Sequence, residues 1–226
     1  LYEVELTVTD SVGLSDSQSV RISISNEDNE WRVDPSANPA GDGSSWATAF
    51  QTLQDALAVA RPRDEIWLKA GTYKPDEGTG MTAGDRTASF VLNGVKVFGG
   101  FAGTETMATE RDPVANLTVL SGEISDQATL RSLQVSTITE NSVLDGLTIT
   151  KGNANGSGDF GKGGGILCET GKTVTLKNCR VKGNDANSGG GVYGNAVVTY
   201  SVFANLTGGA IVGTAEVKKS TFELVS

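Results

Sequence analysis

Internal repetition restricts this chain more than any other feature. Residues 176–181 align with residues 198–203 at an offset of 22, and these align with residues 217–222 at an offset of 19. Residues 144–149 lie 32 positions before 176–181, which implies a longer loop in that repeat. Gly-rich elements precede the last three segments: Gly163, Gly164 and Gly165 before Ile166, Gly189, Gly190 and Gly191 before Val192, and Gly208 and Gly209 before Ala210 and Ile211. A unit of about 20 residues cannot bury an apolar face alone, whereas stacked copies can. The repetition therefore predicts a parallel β-solenoid. Ile149, Val181, Phe203 and Phe222 should form one row along its axis. Leu147, Cys179, Ser201 and Ser220 should form a second inward row, since side chains two apart share a face of a strand.

The rest of the chain is read around that solenoid. Residues 143–150, 174–181, 197–203 and 216–224 read as uninterrupted strands. Phe50, Leu53, Ala56, Leu57 and Ala60 recur at helical spacing. Ser44, Ser45 or Thr48 would cap the start of that helix, and Pro62 would end it. A helix at this point, with Phe50, Leu53 and Leu57 facing inward, would cap the open edge of the first turn. Nearer the start, Tyr2, Val4, Leu6 and Val8 alternate with Glu3, Glu5, Thr7 and Thr9. After the turn signal at residues 10–13, Val20, Ile22 and Ile24 alternate with Arg21, Ser23 and Ser25. This is a hairpin over residues 1–25. Residues 26–30 form a short acidic linker, and 31–226 form the solenoid.

Composition removes several kinds of chemistry. The chain has 226 residues, a net charge of −9 and no His. Triads that need His, Cys-His pairs and His-ligated metals are thereby excluded. An acidic surface disfavours nucleic acid and anionic lipid, and no apolar run is long enough for a membrane-spanning helix. The two cysteines, Cys168 and Cys179, do not make a disulfide scaffold. Cys179 falls in an inward row, so free thiols are favoured over a bridge. No cofactor is expected, with one qualification. Glu27, Asp28 and Glu30 offer oxygen ligands for Ca²⁺ at the joint, or form a solvated acidic connector; they lack EF-hand spacing.

No carboxylate recurs at equivalent positions of the repeats. Asp145 is replaced by Lys177, Thr199 and Lys218, and Arg180 by Thr148, Val202 and Thr221. No catalytic residue is assigned, although loops could bring Asp126, Arg131 and Asp145 together. Trp46, Tyr73 and Tyr193 have two readings: aromatic platforms for sugar rings, or, for Trp46 and Tyr73, packing of the cap and first turn.

Two resemblances add to this. Residues 1–25 resemble the last two strands of a PKD-type immunoglobulin-like domain, an incomplete sandwich. Residues 31–226 resemble bacterial surface proteins with right-handed parallel β-helix repeats, of the pectin-lyase-like and polymorphic-outer-membrane-protein-like group. The motifs are Trp31 to Asp34 with Gly41 to Phe50, Asp64 to Pro75, Phe98 to Glu105 with Arg111-Asp112, Val143 to Asn153, and the Gly-Gly-(Gly/Ala)-(Ile/Val) repeat. The resemblance implies a modular secreted protein at the bacterial cell surface, extending beyond this stretch at both ends. Its expected role is a non-catalytic structural or adhesive module whose partners are glycans or other surface proteins. One alternative is a homo-oligomeric filament in which the hairpin is donated to a neighbour's sandwich. The other is a polysaccharide lyase or glycosidase-like protein.

Overall fold

The computed structural model describes residues 2–22, 28–124 and 130–223. Tyr2–Thr9 and Ser15–Ile22 form an antiparallel pair in which Tyr2 lies opposite Ile22 and Val8 opposite Asp16. The Asp10 carboxylate closes the turn by accepting from the amides of Val12 (2.9 Å) and Leu14 (3.0 Å), and Gly13 supplies a φ of +88°. Such an Asx-type turn is the reason Asp and Gly punctuate this position. The second strand begins at Ser15, before the apolar alternation does, because main-chain pairing runs from the turn outward. Ile24 lies outside the described residues.

Among the described residues the remaining strands form three long parallel sheets and one two-stranded parallel pair, Asn153–Ala154 with Asp185–Ala186, and the fold is all-β with one short α-helix. The first sheet holds seven strands: Glu30–Val33, Glu65–Lys69, Lys96–Phe101, Ser142–Asp145, Thr173–Lys177, Asn195–Thr199 and Ala215–Lys218. Its first strand takes in Glu30, the last residue of the acidic stretch 26–30. The second sheet holds six: Gly71–Tyr73, Thr118–Ser121, Thr148–Thr150, Arg180–Lys182, Val202–Ala204 and Thr221–Glu223. The third holds five: Phe90–Asn93, Ser136–Glu140, Ile166–Cys168, Val192–Tyr193 and Ile211–Val212. From Glu65–Lys69 onward the chain passes through the first, second and third sheets in that order, then begins again. Each strand therefore pairs with those of the preceding and following passages.

Register places like residues on like. Tyr73, Leu120, Ile149, Val181, Phe203 and Phe222 are successive Cα partners across the second sheet. Ile66, Val97, Leu144, Leu176, Val198 and Val217 are successive partners across the first. The inner members of both rows are buried in one hydrophobic core.

The strands read as uninterrupted are each broken in two. The break falls at Gly146, Asn178, Tyr200 and Lys219, which take φ of +73°, +50°, +52° and +49°. A left-handed residue turns the chain from the first sheet into the second and resets the alternation. Inward side chains are then three apart across the corner and two apart beyond it: Leu144, Leu147 and Ile149, then Leu176, Cys179 and Val181. Asn and Gly tolerate this conformation, while Tyr and Lys carry a cost of about 1 kcal/mol. Asn178 is thus a corner residue. Ser201 and Ser220 fit just after it because their hydroxyls serve the corner. Ser201 Oγ accepts from the Cys179 amide (3.1 Å) and donates to the Thr199 carbonyl (3.0 Å). Ser220 Oγ repeats this with the Ser201 amide and the Lys218 carbonyl.

The helix is shorter than its apolar spacing predicts, covering Leu53–Val59. Thr52 caps it, accepting from the Asp55 amide and donating to the Asp55 carboxylate. Ser45 instead caps a short 3₁₀ turn, Trp46–Thr48. Phe50 is not helical: its amide donates to the Arg32 carbonyl and its carbonyl accepts from the Asp34 amide, both at 2.9 Å. Pairing with the edge strand outcompetes a helical start there. The helix packs on Glu30–Val33 and Phe90–Asn93, the edge strands of two sheets. It buries Leu53 and Ala56 and lays Leu57 against the core. The same end is tied by Asp64, which is 2% exposed. Its carboxylate accepts from the amides of Asn29 and Arg61 (2.9 Å each) and from Trp31 Nε1 (3.0 Å). Burial pushes the Asp64 acid up, but these donors outweigh it and hold the pKa below the ordinary range.

Candidate functional site

A groove of about 1230 Å³ lies on the outer face of the second sheet. Its floor is the outward row Val119, Thr148, Arg180 and Val202, which are successive Cα partners. Its wall is the connection between Phe101 and Thr118, which carries Pro113, Val114 and Leu117 to the rim. That connection is held by its own acids. Glu105 accepts from the amides of Ala102, Gly103 and Thr104, Glu110 from those of Thr106 and Met107, and Asp112 from those of Val114 and Ala115. The wall is therefore a folded ridge anchored by carboxylate-to-amide bonds. For Glu105, partial burial opposes these bonds and they prevail, holding the acid below its usual range.

Arg111 joins the wall to the floor. Its guanidinium donates to the carbonyls of Gly99 (2.9 Å) and Asp145 (3.2 Å), meets the Asp145 carboxylate at 2.9 Å, and lies 5.1 Å over the Phe98 ring. Asn178 Nδ2 donates to the same carboxylate at 2.9 Å. The corner at Gly146 makes room for this: a Cβ there would stand 2.6 Å from an Arg111 nitrogen.

Four cations, Arg111, Lys151, Arg180 and Lys182, line the groove with one carboxylate, Asp145. Arg111 pairs with Asp145 and Lys151 with Glu123. Arg180 and Lys182 are exposed and make no ion pair among the described residues. In a chain of net charge −9, this is a local positive field on an acidic molecule.

Of the candidate catalytic residues singled out from the sequence, Asp145 lines the groove and Arg131 does not. Asp145 is bound to Arg111, Arg131 to Asp185 at 3.0 Å, and Asp126 lies outside the described residues. The structure does not bring Arg131 and Asp145 together. Of the Ca²⁺ candidates, Glu27 lies outside the described residues. Asp28 faces Arg63 (3.3 Å) and Lys96 (3.7 Å), and Glu30 bridges to Arg32 (2.9 Å). Among the described residues no group of three or more His, Cys, Asp or Glu is placed to hold a metal. Trp46 is not a free platform: Nε1 donates to the Glu105 carbonyl (2.9 Å) and the ring tilts against Phe101. Tyr73 is buried with its hydroxyl donating to the Lys69 carbonyl (2.8 Å), and burial raises its pKa. Tyr193 is half-buried beneath Lys162. Both cysteines are free and buried. Burial pushes the Cys179 thiol up to about 12 and the Cys168 thiol up to about 11.

Sequence reasoning missed the groove because its wall is an aperiodic connection. The readable signal was Arg180 and Lys182, two cations on the outward positions of a short strand. Comparison with protein-family models, curated proteins and solved structures finds no match for the chain.

Proposed function

We propose that residues 31–226 wind as a right-handed parallel β-helix of the kind found in the bacterial surface proteins they resemble. The module acts outside the cell as a stiff, non-catalytic scaffold that presents the groove to a binding partner. The cyclic order of the three sheets and the in-register rows support the winding. The observation that carries the binding reading is the ionic inventory of the groove. Hydrolysis of a glycosidic bond calls for two carboxylates about 5–10 Å apart. Among the described residues the groove lining supplies one carboxylate, Asp145, which is 8% exposed and paired with Arg111, beside two cations with no ion-pair partner. Such a surface attracts an anion, and among the described residues it lacks the carboxylate pair that glycoside hydrolysis needs.

The test is incubation with polygalacturonate and neutral glycans, followed by assay for new reducing or unsaturated ends. No release is expected. Turnover that is lost on replacing Arg180 or Lys182 would establish a lyase instead.

A second reading is favoured by one observation. The hairpin Tyr2–Thr9 and Ser15–Ile22 is a two-stranded sheet with no third strand among the described residues, and open strand edges are templates for pairing. Strand donation between copies would build a filament. Its mass by light scattering should then rise with concentration and fall when residues 1–25 are removed.

A further inference from the structure

We infer that the groove takes an extended acidic peptide segment of a partner protein, with carboxylates two residues apart against Arg180 and Lys182 and aliphatic side chains against the ridge of Pro113, Val114 and Leu117. This rests on the binding reading above and names the occupant.

Charge gives the first argument. Arg180 and Lys182 are exposed on one strand, on the same outward face, with Val181 buried between them. Positions two apart in an extended chain are about 7 Å apart. An extended peptide has the same repeat, so its carboxylates at alternate positions match the two cations in spacing as well as in sign. Arg offers a planar fork to one carboxylate and Lys a point charge to the next.

The apolar surface gives the second argument, and it separates a peptide from a sugar. Saccharide recognition draws on open aromatic faces, and the aromatics of this groove already carry cations. Arg111 lies over Phe98, and Lys219 lies 5.1 Å over Tyr200 with Nζ 2.9 Å from its hydroxyl. Tyr200 keeps 55% of its surface exposed with Lys219 over one face, and the larger exposed apolar surface of the lining is aliphatic. Val114 is 92% exposed and Leu117 58%. Aliphatic ridges fit Val, Leu or Ile side chains. The ridge is held by the carboxylate-to-amide bonds described above, so little ordering entropy is lost on binding.

The test uses the whole chain and fluorescein-labelled eight-residue peptides alternating Glu with Val, Gln with Val, or Lys with Val, read by fluorescence anisotropy. Polygalacturonate and dextran sulfate serve as parallel ligands. The Glu-Val peptide should bind at least tenfold more tightly than the Gln-Val peptide and lose affinity as salt rises, while the Lys-Val peptide should not bind. The variant R180E/K182E should weaken Glu-Val binding more than tenfold with an unchanged circular dichroism spectrum and Tm. V114D should weaken it about threefold or more. Equal affinity for the Glu-Val and Gln-Val peptides, or binding indifferent to R180E/K182E, overturns the proposal. Polysaccharide binding lost in R180E/K182E, without peptide binding, overturns the peptide and leaves the groove reading intact. Binding of neither ligand class overturns both.

Discussion

The first and last passages of the chain through the sheets share the same parallel register but differ in burial. At the first, Val33, Leu53 and Leu68 are at most 1% exposed. At the last, Val217 and Phe222 are 41% and 42% exposed, although they sit in rows whose earlier members are buried. The residue types are alike and the main-chain pairing is alike. The difference is what lies on the far side of the strand. At one end the helix Leu53–Val59 and the Asp64 cluster close the edge, and at the other the described residues place nothing over it. Pairing in register aligns apolar side chains; burial needs a further layer, and burial is what stabilises.

Substitutions along one row offer the sharpest way to break that comparison. Phe203 and Phe222 are partners stacked at 4.9 Å, yet Phe203 is 1% exposed. Phe203→Ala should cost about 4 kcal/mol, measured by urea denaturation. Leu53→Ala, which opens the cap, should cost about 3 kcal/mol. Asp64→Asn should cost about 2 kcal/mol at neutral pH, since donors from Asn29, Trp31 and Arg61 lose a charged acceptor. Its pH dependence has a definite sign. The folded-state pKa is depressed, so the contribution is complete above the unfolded value, about 3.9. It is lost as pH falls through the lower folded value. The gap between wild type and Asp64→Asn should therefore close in acid. Phe222→Ala should cost only about 1 kcal/mol, because roughly half of its surface stays wet. A loss equal to that of Phe203→Ala would mean that Phe222 is covered in solution and would erase the contrast between the ends. Least disturbing of all, a thiol reagent should leave Cys168 and Cys179 unmodified in the native protein and modify both in urea, since desolvation holds both thiols protonated.

Much of the architecture was legible because repetition is a local signal that needs no knowledge of neighbours. The offsets of 22 and 19 residues that align Val181, Phe203 and Phe222 in the sequence are the offsets at which these residues pair. The corners were not legible. Gly146, Asn178, Tyr200 and Lys219 share a left-handed φ, but only the first two are residue types that favour it. Tyr200 and Lys219 adopt it because stacking on the preceding passage leaves the chain no other path. The same limit applied to Phe50, whose helical spacing was overridden by a bond to Arg32.

From its residues alone, this chain dictated parallel strands with matched rows, a hairpin near its start and a chemistry without imidazole. Alternation and repeat length act between neighbours in sequence, and main-chain pairing carries them into three dimensions unchanged. Tertiary structure decided which side chains of the outer surface meet. Arg111 and Asp145 lie 34 residues apart and touch only because the wall connection folds back over a glycine corner. Asp145 pairs with Arg111, and Arg180 and Lys182 make no ion pair among the described residues. No local pattern records such a meeting, since it depends on the path of a loop fixed by its own carboxylate-to-amide bonds.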